Sequence, residues 1–448
     1  MKQEKEIMQE ARGRSRRKRK KRQKKGWAAV AAAAALILLT GAAVWALGEN
    51  RADSAESYPL PSEVVKETFP GDAKQQDEGE QEKAAESGLS GEAAAGSAND
   101  GKNADLDSMS LEEKAAQIFM ITPEALTGYT QVTQAGEASR TALEKYPVGG
   151  LIYFSSNLES PEQLKEMTGK IQEYSREITG LPLFLAIDEE GGKVARIANH
   201  EGFSVRVFDS MARIGESGDE NAALEVGRTI GGYLSDYGFN MDFAPNADVL
   251  TNPNNQVIGS RSFGADPAVV TAMAKKVAQG LREQGVIPVY KHFPGHGATQ
   301  GDTHDGFAYT DKTLDELKSA ELVPFQDAAS QNAECIMAAH IAAPSVTGDE
   351  TPSSLSEKMI TGVLRDELEF KGLVITDALN MGAIKNSCSS GEAAVKAVQA
   401  GADILLMPDD FEEAYGAVIQ AVKDGTIKEE RLNRSVQRIL DVKRGMTG

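Results

Sequence analysis

The sequence predicts an α/β domain folded as a barrel of eight parallel strands, reached from the N-terminus through a transmembrane helix and a disordered acidic linker. Three observations predict it. From about Asp105 short apolar runs alternate with amphipathic stretches, the pattern of repeated β-α units. Four of those runs end on titratable residues, as strands do where a barrel carries its chemistry. An uncharged run of 21 residues follows a dense basic cluster near the N-terminus, as in a membrane anchor.

Residues 1–26 hold 13 Lys/Arg against 3 Glu, although the whole chain of 448 residues carries 48 Lys+Arg, 67 Asp+Glu and a net charge of −19. This tail reads as cytoplasmic. The span 27–47 is long enough to cross a bilayer at ~1.5 Å per residue. Trp27 and Trp45, the only tryptophans, stand near its ends, where aromatic rings favour the interface. The positive-inside rule then places the rest of the chain outside the cell. Two other readings compete: a basic nucleic-acid patch, which the adjacent apolar span makes unnecessary, and a signal peptide removed by cleavage, whose apolar core is usually shorter.

Residues 48–104 read as a disordered linker. From Gln75 to Ala104, Leu89 is the only large apolar residue, too little to offset the entropy of ordering. The domain 105–448 keeps a net charge of −21, which argues against general nucleic-acid affinity. Cys335 and Cys388 are too few for a disulfide scaffold and read as free thiols.

Ser110-Leu-Glu-Glu113 opens the domain as a capping box, predicting a helix that ends near Ile121. Strands are predicted at Gly150–Phe154, Leu183–Asp188, Phe239–Ala244, Val286–Lys291, Glu334–His340, Leu373–Asp377 and Asp403–Met407. Helices are predicted at Pro161–Thr179, Ala222–Tyr237, Pro267–Gln284, Leu314–Gln331, Glu357–Leu368, Glu392–Ala400, Phe411–Lys423 and Glu429–Arg444. Seven strands suggest an eightfold barrel with one strand missed; an open doubly wound sheet is the alternative.

Three of the five histidines, His292, His296 and His304, lie in the Gly- and Pro-rich segment Lys291–His304, which reads as a shaped loop. Asp302, two residues before His304, could orient that imidazole as a proton donor. The same residues with Asp305 could ligate zinc, or the loop could be structural. Asp377 after Leu-Val-Ile-Thr is either a nucleophile or a helix cap. Asp188-Glu-Glu-Gly-Gly-Lys-Val-Ala-Arg196 combines a Gly-Gly turn with a cation, suited to a polar ligand.

At these residues the sequence resembles glycoside hydrolase family 3, specifically its single-domain bacterial β-N-acetylhexosaminidases of the NagZ type. The resemblance covers about residues 108–445. Lys291-His-Phe-Pro-Gly-His-Gly297 followed by Asp302-Thr-His304 is its most specific element. Gly149–Phe154, Asp188–Arg196, Asp242–Pro245, Ile258–Gly264 and Ile375-Thr-Asp377 support it. It implies a TIM-like (β/α)8 barrel and a retaining mechanism. Asp377 would be the nucleophile and His304, paired with Asp302, the acid/base. Asp188, Arg196, Arg261, Lys291 and His292 would bind the sugar. No metal or cofactor is implied. Glu189 stands where the family often has Gln and is expected to add a charge beside the sugar. The partners expected are a GlcNAc-containing glycan or muropeptide and a membrane, with the chain a monomer. A metal-dependent barrel hydrolase and an inactive carbohydrate-binding protein are the competing classes.

Overall fold

The computed structural model describes residues 105–300 and 308–446. The tail, transmembrane span and linker expected at 1–26, 27–47 and 48–104 lie outside the described residues. Among the described residues no helix is long and apolar enough to cross a membrane.

Eight parallel strands follow one another in sequence: β1 (Phe119–Ile121), β2 (Gly150–Tyr153), β3 (Phe184–Ile187), β4 (Met241–Asp242), β5 (Ile287–Phe293), β6 (Cys335–Ala338), β7 (Leu373–Thr376) and β8 (Leu405–Leu406). Each pairs with its sequence neighbour, and β1 pairs with β8, with Phe119 opposite Leu405. A parallel bridge from Ile375 to Ile404 joins β7 to β8 and closes the ring. The predicted barrel is therefore observed, and the missing eighth strand is β1.

The sequence placed β1 inside the first helix. The capping box forms as expected, with the Ser110 hydroxyl accepting from the Glu113 amide. The helix, however, ends at Gln117. Phe119, Met120 and Ile121 are wholly buried, and a short apolar run of that kind fits a helix or a two-faced strand equally by periodicity. Only the neighbours β2 and β8 decide it.

The helix Pro161–Thr179 has the predicted bounds, set by Ser160 as N-cap, Pro161 in the first turn and Gly180 at its end. The single helix expected over Leu314–Gln331 is two, Leu314–Ser319 and Val323–Ser330. Pro324 lies in the first turn of the second, where its missing N–H costs nothing. The turn between them carries Glu321, which is wholly buried. β5 contains Lys291, as the strand expected over Val286–Lys291 does, and runs on through His292 to Phe293, which were expected to open the loop. Both cysteines are free, as expected.

Candidate active site

The C-terminal ends of β3, β4, β5 and β7 carry carboxylates and cations that interlock. Asp188 follows β3. Its Oδ1 accepts from Lys291 Nζ at 2.6 Å, and its Oδ2 meets Arg196 Nη2 at 3.4 Å. Glu190, on the short hairpin strand Glu189–Gly191, is buried and binds Arg261 through two bonds of 2.8 and 2.6 Å. It also pairs with Lys291 at 2.7 Å. Gly191 and Gly192, with φ of 88° and 66°, form the turn that returns the chain to Val194–Ala195 and hence to Arg196.

Burial raises the pKa of Asp188, but Lys291 and Arg196 outweigh it and hold the carboxyl below its usual value. Glu190 is held lower in the same way, by Arg261 and Lys291. Burial pulls Lys291 down, and Asp188 and Glu190 more than offset it. All three stay charged, and burial keeps the effective dielectric low.

A second hub is Asp248, also buried, in the loop after β4. Its Oδ1 accepts from the amides of His292 (3.2 Å) and His296 (2.6 Å), and its Oδ2 meets His292 Nδ1 at 2.7 Å. Burial opposes ionisation, but His292 and these bonds bring its pKa down to about 2. Arg261 Nη2 lies 3.3 Å from His292 Nε2.

Asp377 directly follows β7. Its amide donates to Ala338 O, and its Oδ1 accepts from the Ala378 amide at 2.8 Å. Burial raises its pKa, but His340, His292, the Ala378 amide and Lys291 bring it below the usual value. His340 Nε2 meets Ala378 O at 2.8 Å and its Nδ1 meets Ser354 Oγ at 2.7 Å, so this imidazole ties down Ala378, the residue whose amide binds Asp377. The following helix, Gly382–Lys385, is preceded by Met381. Asp377 is therefore not its cap, and that alternative falls. Among the described residues, Asp377 Oδ2 accepts no hydrogen bond, and the residue is only partly buried. An ionised oxygen at a strand end is thus left for a reaction partner.

The matching family description, glycosyl hydrolase family 3 N terminal domain, covers residues 110–442. The chain belongs to glycoside hydrolase family 3. Similar proteins include β-hexosaminidase LpqI of Mycobacterium tuberculosis, 34% identical over 342 residues, 75% of this chain and 83% of that one. β-Hexosaminidase A of Pseudoalteromonas piscicida is 33% identical over 322 residues, 67% of this chain and 54% of its own. A solved family 3 β-N-acetylglucosaminidase from Paenibacillus sp. str. FPU-7 superposes with a TM-score of 0.71 at 35% identity. That match covers 76% of this chain and 64% of the other. The chain thus spans just over half of the Pseudoalteromonas relative and most of the mycobacterial one.

Within this family 3 barrel, Asp188, Arg196, Arg261, Lys291 and His292 meet in one cluster, and Asp377 lies within electrostatic reach of His292 and Lys291. Asp302, His304 and Asp305 lie outside the described residues. Of the metal candidates that remain, His292 is engaged by Asp248, and His296 Nδ1 by Thr299 Oγ1 at 2.8 Å. Among the described residues no group of three or more His, Cys, Asp or Glu is arranged to hold a metal.

Glu189 corrects an expectation. It adds no charge to the cluster around Lys291 and Arg261, because its carboxylate turns the other way. It accepts from the Ile197 and Ala198 amides at 2.9 Å and from Tyr233 Oη at 2.8 Å. Burial raises its pKa. Successive residues of an extended strand point to opposite sides, so Asp188 and Glu190 face the lattice and Glu189 faces the helix behind.

Sequence reasoning missed Glu190 and Asp248. Glu190 lies inside the quoted Asp188–Arg196 motif, two residues from Asp188 and so on its side of the strand. Asp248 follows Ala-Pro-Asn-Ala past β4. An acid so close to a strand end was the available signal.

Proposed function

We propose that the chain is a retaining exo-β-N-acetylglucosaminidase that removes terminal β-linked GlcNAc. The observation that carries this is Asp377: an ionised carboxylate at the end of β7, one oxygen fixed by the Ala378 amide and the other unengaged among the described residues. The β-hexosaminidase and β-N-acetylglucosaminidase names of the relatives support the sugar.

In the first step Asp377 Oδ2 attacks the anomeric carbon and the bond to the leaving oxygen breaks. His304, in the role its motif implies, gives that oxygen a proton. In the second step His304 takes a proton from water, the water attacks the anomeric carbon, and the Asp377 ester is released. Asp302 would orient His304. Asp188 and Arg196, the more exposed members of the lattice, would meet the sugar hydroxyls first. Lys291, Arg261 and His292 would complete the pocket from behind.

Peptidoglycan fragments are the substrate that fits best with an anchor at 27–47 and an outward-facing domain. The −21 charge of the domain would not attract an anionic wall polymer from a distance, so the anchor supplies proximity and the lattice supplies recognition.

The deciding experiment is release of 4-nitrophenol from its β-GlcNAc glycoside with rapid acid quench and intact-protein mass spectrometry. A glycosyl adduct should form on the native protein and be absent from Asp377→Ala. Turnover retained by Asp377→Ala would sink the nucleophile assignment. Loss of activity with EDTA and its return with zinc would favour the metal-dependent class instead. Product analysis on muropeptides against chitin oligomers tests the substrate. Protease accessibility on intact cells tests the outward placement.

A further inference from the structure

The segment from Gly295 to Lys312 carries the acid/base motif, and both of its described flanks converge on one carboxylate outside the lattice. Glu321 is wholly buried in the turn between two helices. Its Oε1 accepts from Thr251 Oγ1 at 2.5 Å and from Lys312 Nζ. Lys312 Nζ also reaches Thr251 Oγ1 at 3.2 Å. At the other flank Gly295, with φ of 126°, lies directly on Glu321. A Cβ at position 295 would sit 2.5 Å from the Glu321 Cβ, so both space and backbone require glycine there.

Between these points the chain is fixed once more. Gln300 and Tyr309 exchange two backbone hydrogen bonds of 3.2 Å. Ala308–Tyr309 pairs in parallel with Ile341–Ala342, directly after His340. The described flanks are therefore tied to the short strand that follows β6 and to Glu321.

A buried carboxylate with one ammonium partner is a poor source of stability, because desolvation offsets most of the attraction. Glu321 Oε2 is buried with no partner at all among the described residues. The arrangement is better suited to fixing geometry than to stabilising the fold.

We propose that Glu321 is a positioning residue for acid/base catalysis, holding the two flanks of the loop that bears His304 through Lys312, Thr251 and Gly295. This rests on the acid/base role given to His304 above.

The test uses the full chain and aryl β-GlcNAc glycosides ranging from 2,4-dinitrophenyl to phenyl. A good leaving group needs no proton, so loss of a positioned acid is felt only by poor ones. For Glu321→Gln, kcat/KM on the dinitrophenyl glycoside should stay near the native value and fall ~10²-fold on the phenyl glycoside. On the dinitrophenyl glycoside kcat and KM should fall together, because the glycosyl-enzyme accumulates. Azide should restore kcat by attacking the anomeric carbon and displacing Asp377. Lys312→Met should reproduce the pattern from the more exposed end of the pair, and Lys312→Arg should not. His304→Ala runs alongside and should show the same dependence more strongly. If His304→Ala shows it while Glu321→Gln and Lys312→Met lower all glycosides by one common factor, or none, Glu321 is structural and the inference fails. If His304→Ala shows no leaving-group dependence, the acid/base reading falls and takes the inference with it.

Discussion

At the N-terminal end of the barrel, Asp403 lies buried among three arginines; at the C-terminal end, four carboxylates surround Lys291 and Arg261. Asp403 meets Arg365 Nη2 at 2.5 Å, Arg438 Nη1 at 3.0 Å and Arg431 Nη2 at 3.8 Å, with Ser435 Oγ at 2.6 Å. The arginines are further engaged there. Arg365 donates to Phe370 O and Gly372 O, and Arg431 to Val398 O and Ala402 O. The opposite end keeps capacity in reserve. Asp188 and Arg196 remain partly open, at 18% and 32% side-chain exposure, and Arg196 Nε and His296 Nε2 are buried without partners among the described residues. The same residue types thus serve two ends: a closed cluster that joins β7 and β8 to the last helix, and an open one prepared for a ligand. That division follows the rule for barrels, in which the C-terminal face reacts and the N-terminal face stabilises.

The comparison breaks most visibly if the two central carboxylates are exchanged for amides. Asp377→Asn should lower kcat on 4-nitrophenyl β-GlcNAc by ~10³-fold or more, with a thermal midpoint little changed. Asp403→Asn should do the reverse. It leaves buried guanidinium charge uncompensated, at about 3–5 kcal/mol in urea unfolding, while kcat/KM per folded molecule is retained. Comparable activity losses in both variants would erase the distinction.

The next effect is on pH dependence. As the proposed nucleophile Asp377 would act ionised, and its pKa is lowered in part by Lys291. The acid limb of kcat/KM should therefore lie below the ordinary carboxylate value. Lys291→Met removes that support, so the limb should move to higher pH. A limb unmoved in that variant would separate Lys291 from the nucleophile.

The smallest effect concerns Lys443, buried at the N-terminal end with, among the described residues, Gln117 Oε1 at 2.9 Å and the Phe184 ring beside it. Burial takes its pKa from 10.5 down to about 7. Between those values the unfolded chain binds a proton that the folded one does not. Stability therefore falls as pH drops through that window, by about 1.4 kcal/mol per unit, and is level below it. Lys443→Met should flatten the slope in urea unfolding between pH 7 and 10, with kcat unchanged. An unaltered slope would mean that Lys443 is charged in the folded protein.

Much of this was legible in the sequence, and the gaps have physical causes. Asp188, Lys291-His292 and Asp377 were found because each stands at the end of an apolar run, and strand ends are where a parallel barrel collects polar groups. Helix bounds such as Pro161–Thr179 were readable because Ser160, Pro161 and Gly180 are local signals. Strand β1 was not, since Phe119-Met120-Ile121 carries no signal that separates helix from strand. Asp248 was missed because its partners, the His292 ring and the His296 amide, lie more than forty residues away.

What the sequence determined by itself was thus the barrel class, the family and most of the residues that meet in the candidate site, because periodicity, caps and motif spacing are properties of adjacent residues. Which way each polar side chain turns was decided only by the tertiary structure. In Asp188-Glu189-Glu190 all three residues are acidic, so no hydrophobic pattern reveals which side of the strand faces the cavity. Pairing of β3 with its neighbours sets that parity. It gives Asp188 and Glu190 to Lys291 and Arg261, and sends Glu189 to Tyr233. The same holds for Glu321: nothing near it in the sequence marks it out, and only the closure of the barrel brings Thr251, Gly295 and Lys312 to one oxygen-bearing side chain.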